Sequence, residues 1–143
     1  MKIHLAGVET LNNYFEDDPA PDVYTLTTFY HHRRAEKIPR YVYSDNLILD
    51  SGAFTFFSGK KVNWEEYVTG YIKMIKETEK RLFFELDIDR VIGLEGVEKI
   101  RERIKNETGR IPIPVWHPSR GMDYYRKMCD DYELIALSLS GMY

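Results

Sequence analysis

The feature that most constrains this chain is an alternation. Short runs rich in apolar, β-branched or aromatic residues lie at 3–6, 23–28, 46–50, 82–87, 111–116 and 134–139. Between most of them lie stretches with helical periodicity or strong loop chemistry. Runs of that length and composition read as strands. Strands separated by helices pair in parallel through crossover connections, so the expected class is α/β with about six parallel strands.

The intervening segments support this reading. Trp64, Tyr67, Val68, Tyr71, Ile72 and Ile75 form one apolar stripe at helical period, and Asn63 with Glu66 three residues on fits a capping box at its start. Val97, Ile100 and Ile104 mark one face of a second helix that Gly109 stops. A short helix is expected at 122–129, another at 8–15, and a helical or irregular basic stretch at 31–36. Pro112 and Pro114 limit the run at 111–116 to brief sheet contact, because neither residue has an N–H for the ladder. Two prolines and three aspartates make 17–22 the clearest loop. No repeat and no linker divides the 143 residues, so the expectation is a single domain spanning 1–143.

Composition excludes several classes. Lys+Arg 20 against Asp+Glu 23 gives a net charge of −3, which rules out a wholesale basic nucleic-acid binder but leaves room for a local basic patch. Cys129 stands alone, so neither a disulfide framework nor a cysteine zinc site is available. No signal peptide and no run of membrane-spanning length is recognisable, so the expected location is cytoplasmic, with no membrane partner.

The polar residues are informative through their positions. Asp50, Asp87 with Asp89, and His117 each sit at or just beyond the C-terminal end of an expected strand, and Ser140-Gly141 ends another. In parallel α/β folds the functional site lies along that edge of the sheet. Carboxylates and an imidazole on one rim suit acid, base or nucleophile chemistry. Each residue alone has a plainer explanation. Asp50 begins good turn chemistry with Ser51 and Gly52, Asp87 and Asp89 are placed to bridge to Arg90, and His117 suits a satisfied loop histidine. It is their coincidence on one rim that favours function. A second reading places a divalent cation on Asp87, Asp89 and His117, since hard oxygens suit magnesium or manganese.

Other signals are weaker. His31-His32-Arg33-Arg34, with Lys37 and Arg40 beyond, is a compact basic patch that suits either phosphates or solvent, and Lys60-Lys61 reads as surface. The glycines Gly52, Gly59, Gly93 and Gly96 form neither a dinucleotide fingerprint nor a phosphate-binding loop, and there is no nucleophile elbow. Tyr67 and Tyr71 read as core.

The segment Leu47-Ile48-Leu49-Asp50-Ser51-Gly52-Ala53-Phe54 resembles the Asp-Ser-Gly-Gly/Ala-Phe signature of the tRNA-guanine transglycosylase superfamily. It is most similar to the phage and bacterial relatives that insert deazaguanines into DNA. Further pieces follow in the family's order: Phe84-Glu85-Leu86-Asp87-Ile88-Asp89, Pro114-Val115-Trp116-His117 and Tyr132-Glu133-Leu134-Ile135-Ala136-Leu137. The resemblance covers roughly residues 45 to 141. It implies a TIM-type (β/α) barrel and base exchange of guanine for a 7-deazaguanine derivative in DNA, or in tRNA. In that scheme Asp50 is catalytic. Ser51, Gly52, Phe54, Asp87, Asp89, His117 and Gly141 contact the substrate, with Phe54 stacking on the base and Asp87 accepting from its edge. No cofactor and no metal is expected. The implied partners are nucleic acid, DNA ahead of tRNA, and the free deazaguanine base.

The sequence departs from the family at three points. Ser138-Leu139-Ser140-Gly141 stands where the family has two adjacent glycines, the zinc module has no cysteines to build it, and the sequence ends at Tyr143 before a strand carrying the family's nucleophile aspartate. A closed barrel takes about 250 residues. The expectation is therefore the N-terminal portion of a transglycosylase-like barrel, a base-exchanging pentosyltransferase only when completed by a C-terminal part. A homo-oligomer or a complementing chain would supply that part. The alternatives are a non-catalytic nucleic-acid-binding remnant, or a metal-dependent barrel enzyme using Asp87, Asp89 and His117.

Overall fold

A computed structural model describes residues 4–7, 24–56 and 62–138 of the chain. The helix expected at 8–15, the loop at 17–22, Lys60, Lys61 and Gly141 lie outside those residues. The described residues form a small mixed α/β structure. Strands β1 (Leu5–Ala6), β2 (Thr25–Thr28) and β3 (Leu47–Asp50) make a parallel sheet in that order, with Thr28 opposite Asp50. Strands β4 (Val115–Trp116) and β5 (Ala136–Leu137) form a separate parallel pair. The helices are α1 (Phe29–His32), α2 (Trp64–Glu77), α3 (Asp89–Thr108) and α4 (Met122–Asp131). No helix among the described residues is long and apolar enough to cross a membrane.

The partial TIM-type barrel of about six strands is corrected by this topology. Five strands of two to four residues lie in two sheets, and the run at 82–87 forms no strand. It contributes single parallel bridges, Leu49 to Phe83 and Phe84 to Ile113. The reason is local chemistry. Leu49 N donates to Leu82 O at 3.0 Å and Phe84 N donates to Leu49 O at 3.0 Å, after which the segment turns to Ile113. Glu85 N donates to Ile113 O at 2.9 Å, and the Glu85 carboxylate then accepts from Val115 N at 2.9 Å. A side chain thus takes the place of the next backbone carbonyl, and the flanking Pro112 and Pro114 have no N–H to extend a ladder.

Helix α2 forms where its periodicity places it. Asn63 caps it, its Oδ1 accepting from Glu66 N at 3.3 Å, and Tyr67, Val68, Tyr71, Ile72, Met74 and Ile75 are buried. They pack on the face of β2 and β3 that carries Thr25, Thr27, Leu47 and Leu49, which are also buried. The tyrosines add polar anchors to this core. Tyr71 OH donates to Phe84 O at 2.8 Å and Tyr67 OH donates to Ser51 O at 2.6 Å. One helix thus pins both strand ends that lead into the candidate site. Helix α3 is interrupted at Gly93 and ends at Gly109, whose φ of 68° is left-handed.

The turn after β3 depends on Gly52. Its φ is +75°, and a Cβ there would sit 2.6 Å from Tyr30 Cβ and 3.2 Å from the Tyr67 hydroxyl. Strain and steric overlap act together at this position. Gly52→Ala is expected to lower unfolding stability by about 2 kcal/mol or more, read as a lower urea midpoint at unchanged slope. A midpoint equal to that of the parent contradicts this packing.

Candidate functional site

The rim is built from the sheet upward. Thr28 and Asp50 end neighbouring parallel strands in register, so their side chains project from the same sheet face. That face is opposite the one buried by α2. Asp50 is half-buried, and the Asp-Ser-Gly turn follows it directly. Ser51 is buried and holds the turn by accepting from Ala53 N at 3.3 Å. Phe54 stands in a short 3-10 turn at 53–56 and is 72% exposed, an unusual state for a phenylalanine so close to a core.

Asp87 lies on the irregular stretch after the bridge to Ile113. Burial pushes its carboxyl up to about 7, and repulsion from Asp50 and Glu85 acts in the same direction. A hydrogen bond from its own backbone and the charge of Arg120 act against the rise. Asp50, at the end of β3, and Asp87, on the irregular stretch that follows the Phe83 and Phe84 bridges, are thus electrostatic neighbours. Burial and the neighbouring Asp50 charge both disfavour ionisation of Asp87.

Behind Asp87 lies a buried ionic network that the sequence reading did not include. Glu85, 1% exposed, meets Arg101 Nη2 at 2.6 Å and Arg120 Nη1 at 2.6 Å. Arg101 also donates to Tyr132 OH at 2.9 Å and Tyr124 OH at 3.3 Å. Arg120 Nη2 donates to Asp89 Oδ1 at 3.0 Å. His117 Nε2 meets the same oxygen at 3.0 Å, and its Nδ1 meets Ser119 Oγ at 2.7 Å. A carboxylate only accepts, so Nε2 donates its hydrogen to Asp89. Burial opposes ionisation of Asp89, but the Arg120 hydrogen bond and charge, together with His117, hold its carboxyl below the usual range.

The site residues therefore fall into two groups. Asp50 and Asp87 come together, with Ser51, Gly52 and Phe54 on the adjoining turn. Asp89 and His117 bind each other and Arg120; the expected Asp89 bridge to Arg90 is replaced by the bridge to Arg120. The cation reading fails on this arrangement. Arg120 occupies the position a metal would need beside Asp89, and no group of three His, Cys, Asp or Glu able to hold a metal exists among the described residues.

Sequence reading missed Thr28, Glu85, Arg101 and Arg120. The Thr28 hydroxyl is buried with no hydrogen-bond partner among the described residues, as is Arg120 Nε. A signal for Arg101 exists: it interrupts the buried stripe of α3 between Val97 and Ile104, four residues from one and three from the other. Glu85 likewise interrupts the apolar run of Phe83 and Leu86. No protein-family model, no curated protein and no solved structure matches this chain.

Two outcomes test the site. The folded chain holds the Asp87 proton up to about pH 7, whereas an unfolded aspartate releases it near pH 3.9. Its stabilising contribution is therefore complete below about pH 4 and lost as pH rises to about 7. Asp87→Asn is expected to remove this decline, gaining up to about 4 kcal/mol over the parent at pH 8, as measured by denaturant titration at several pH values. Parallel profiles for the two proteins would refute the assignment. Arg120→Met, which strips the buried Glu85 and Asp89 of a shared partner, is expected to cost about 3–5 kcal/mol in the same assay. A loss below about 1 kcal/mol, the range of an exposed pair, would show that the network is not buried.

Proposed function

We propose that this chain binds a guanine-like base at the Asp50–Asp87 rim. In this reading it is the base-recognition part of a transglycosylase that exchanges guanine for a 7-deazaguanine derivative in nucleic acid, DNA ahead of tRNA. The observation that carries the proposal is the buried Asp87 carboxyl within electrostatic reach of Asp50 at the end of β3, raised to about 7 chiefly by burial. Guanine presents two N–H donors along one edge and acceptors beside them. A carboxylate accepts from the donors, and a carboxyl that keeps its proton near neutrality also donates to an acceptor. Phe54 offers an exposed ring for stacking next to the turn, and any flat heterocycle has a π-face to meet it. Thr28 brings to the same rim a buried hydroxyl without a hydrogen-bond partner among the described residues.

The pair also suits the chemistry. A departing base takes up a proton and an incoming base gives one up, and a carboxyl group beside the base serves both steps. Asp50 is assigned the proton transfer at the reaction centre and Asp87 the base edge. Asp89 and His117, bound to each other and to Arg120, are assigned to holding the neighbouring loop that frames the base.

Calorimetry with free guanine and free adenine tests recognition. Guanine is expected to bind in preference to adenine. Phe54→Ala is expected to weaken binding about tenfold or more, in line with about 1–3 kcal/mol per stacked base, and Asp87→Asn to remove the preference. Incubation with guanine-containing DNA and labelled 7-deazaguanine tests whether exchange occurs as well as recognition, and any exchange by the parent is expected to be abolished by Asp50→Asn. Equal binding of guanine and adenine overturns the reading. Base binding with no exchange reduces it to a binding module.

A further inference from the structure

A second feature lies beside this rim. A cleft of about 560 Å³ opens between α1 and α2, lined by Tyr30, Arg33, Arg34, Phe56, Asn63 and Tyr67 among others. Its two arginines have no ion-pair partner among the described residues. Arg33 is pre-ordered: its guanidinium lies 3.6 Å over the Tyr30 ring and donates to Tyr30 O. Of the five N–H groups of a guanidinium, that leaves most free for an anion. Arg34 is exposed at the cleft mouth. The floor is aromatic, with Phe56 meeting Tyr30 and Tyr67 edge-to-face at centroid distances of 5.5 and 4.8 Å. Glu66 is on the wall as the one carboxylate among the lining residues, so positive charge prevails.

The cleft is coupled to the rim through shared residues. Tyr30 packs against Gly52 of the Asp-Ser-Gly turn, and Tyr67 donates to Ser51 O at 2.6 Å while lining the cleft. Tyr67 stands within electrostatic reach of both Arg33 and Asp50. A polyanion whose base sits on the rim therefore meets cationic groups in a cleft that shares Tyr30 and Tyr67 with the Asp-Ser-Gly turn.

We propose that the Arg33–Arg34 cleft is a phosphate subsite that seats the backbone of the polynucleotide next to the base held at the rim. The inference rests on the base-binding reading above and adds where the strand runs. Phosphate contacts of this kind position a strand without reading its sequence, and they make binding salt-dependent. A guanidinium held flat on an aromatic ring presents its edge for two-point contact with a phosphodiester.

The test measures binding of a fluorescent single-stranded oligonucleotide across a salt series, alongside calorimetry with free guanine. The parent is expected to bind the oligonucleotide with log K falling linearly in log salt. In Arg33→Gln/Arg34→Gln that slope is expected to shrink by about 1.4, two phosphates at about 0.7 each, while guanine binding stays the same. Arg33→Lys/Arg34→Lys, which keeps the charge, is expected to keep most of the slope. Because Arg33 packs on Tyr30, the exposed Arg34→Gln is measured separately and is expected to lose about half of that change with an unaltered thermal midpoint. If guanine binds but the double variant keeps the parent's slope, the phosphate subsite is wrong and the base reading survives. If the oligonucleotide binds with the expected slope change but guanine does not, the base reading fails alone. If only inorganic phosphate binds, at matched ionic strength, the polynucleotide assignment is overturned.

Discussion

The carboxylate of Glu85 is the joint on which the structure turns. It is buried between two guanidiniums and also accepts the Val115 N–H, where a continuous sheet would supply a backbone carbonyl. Removing either arginine leaves an uncompensated charge in a dry interior, so the three groups depend on one another. Through them the segment after β3, helix α3, strand β4 and the turn at Pro118–Arg120 are tied to one point. Tyr124 and Tyr132 extend the tie by bonding Arg101, which brings in helix α4.

The candidate site inherits its electrostatics from that joint. Asp87 lies two residues beyond Glu85, so it is held beside a buried negative charge as well as beside Asp50. Arg120 tempers both effects while it neutralises Glu85 and Asp89. Arg120 lowers both carboxyl groups: its direct hydrogen bond keeps Asp89 below the usual range, whereas at Asp87 burial and the Asp50 and Glu85 charges outweigh it and the proton is kept toward neutrality. That division separates Asp89 with His117, bound to each other and to Arg120, from Asp50 with Asp87, the two carboxyls proposed to meet the base.

Much of this was legible from the sequence where the signal is periodic or terminal. The stripe from Trp64 to Ile75 fixes α2, Gly109 ends α3, and apolar runs that stop on Asp50 or lead to His117 locate the rim. What could not be read was how far each strand pairs. The run at 82–87 has strand composition, yet it forms only single bridges because a side chain competes with the backbone for Val115. The expected barrel failed for that reason. Composition reports burial, and it does not report which acceptor an N–H will choose. The network was half-hidden in the same way. Arg101 and Glu85 each break an apolar pattern, but their partner Arg120 sits in a loop-like Pro-Ser-Arg-Gly stretch that points to nothing by itself.

The proposed function joins these parts into one surface: two neighbouring carboxyls, an exposed ring beside them, and a cationic cleft reached through Tyr30 and Tyr67. Its central claim is that Asp50 and Asp87 act as a coupled pair, and this is open to direct observation. The measurement is a carbon-13 NMR titration of the aspartate carboxyl groups in the parent and in Asp50→Asn. The account predicts an Asp87 midpoint of about 7 that falls when Asp50 is neutralised and stays above the ordinary aspartate value, because burial, the larger cause, remains. An Asp87 midpoint near 4, an ordinary aspartate value, that is indifferent to Asp50 would contradict it.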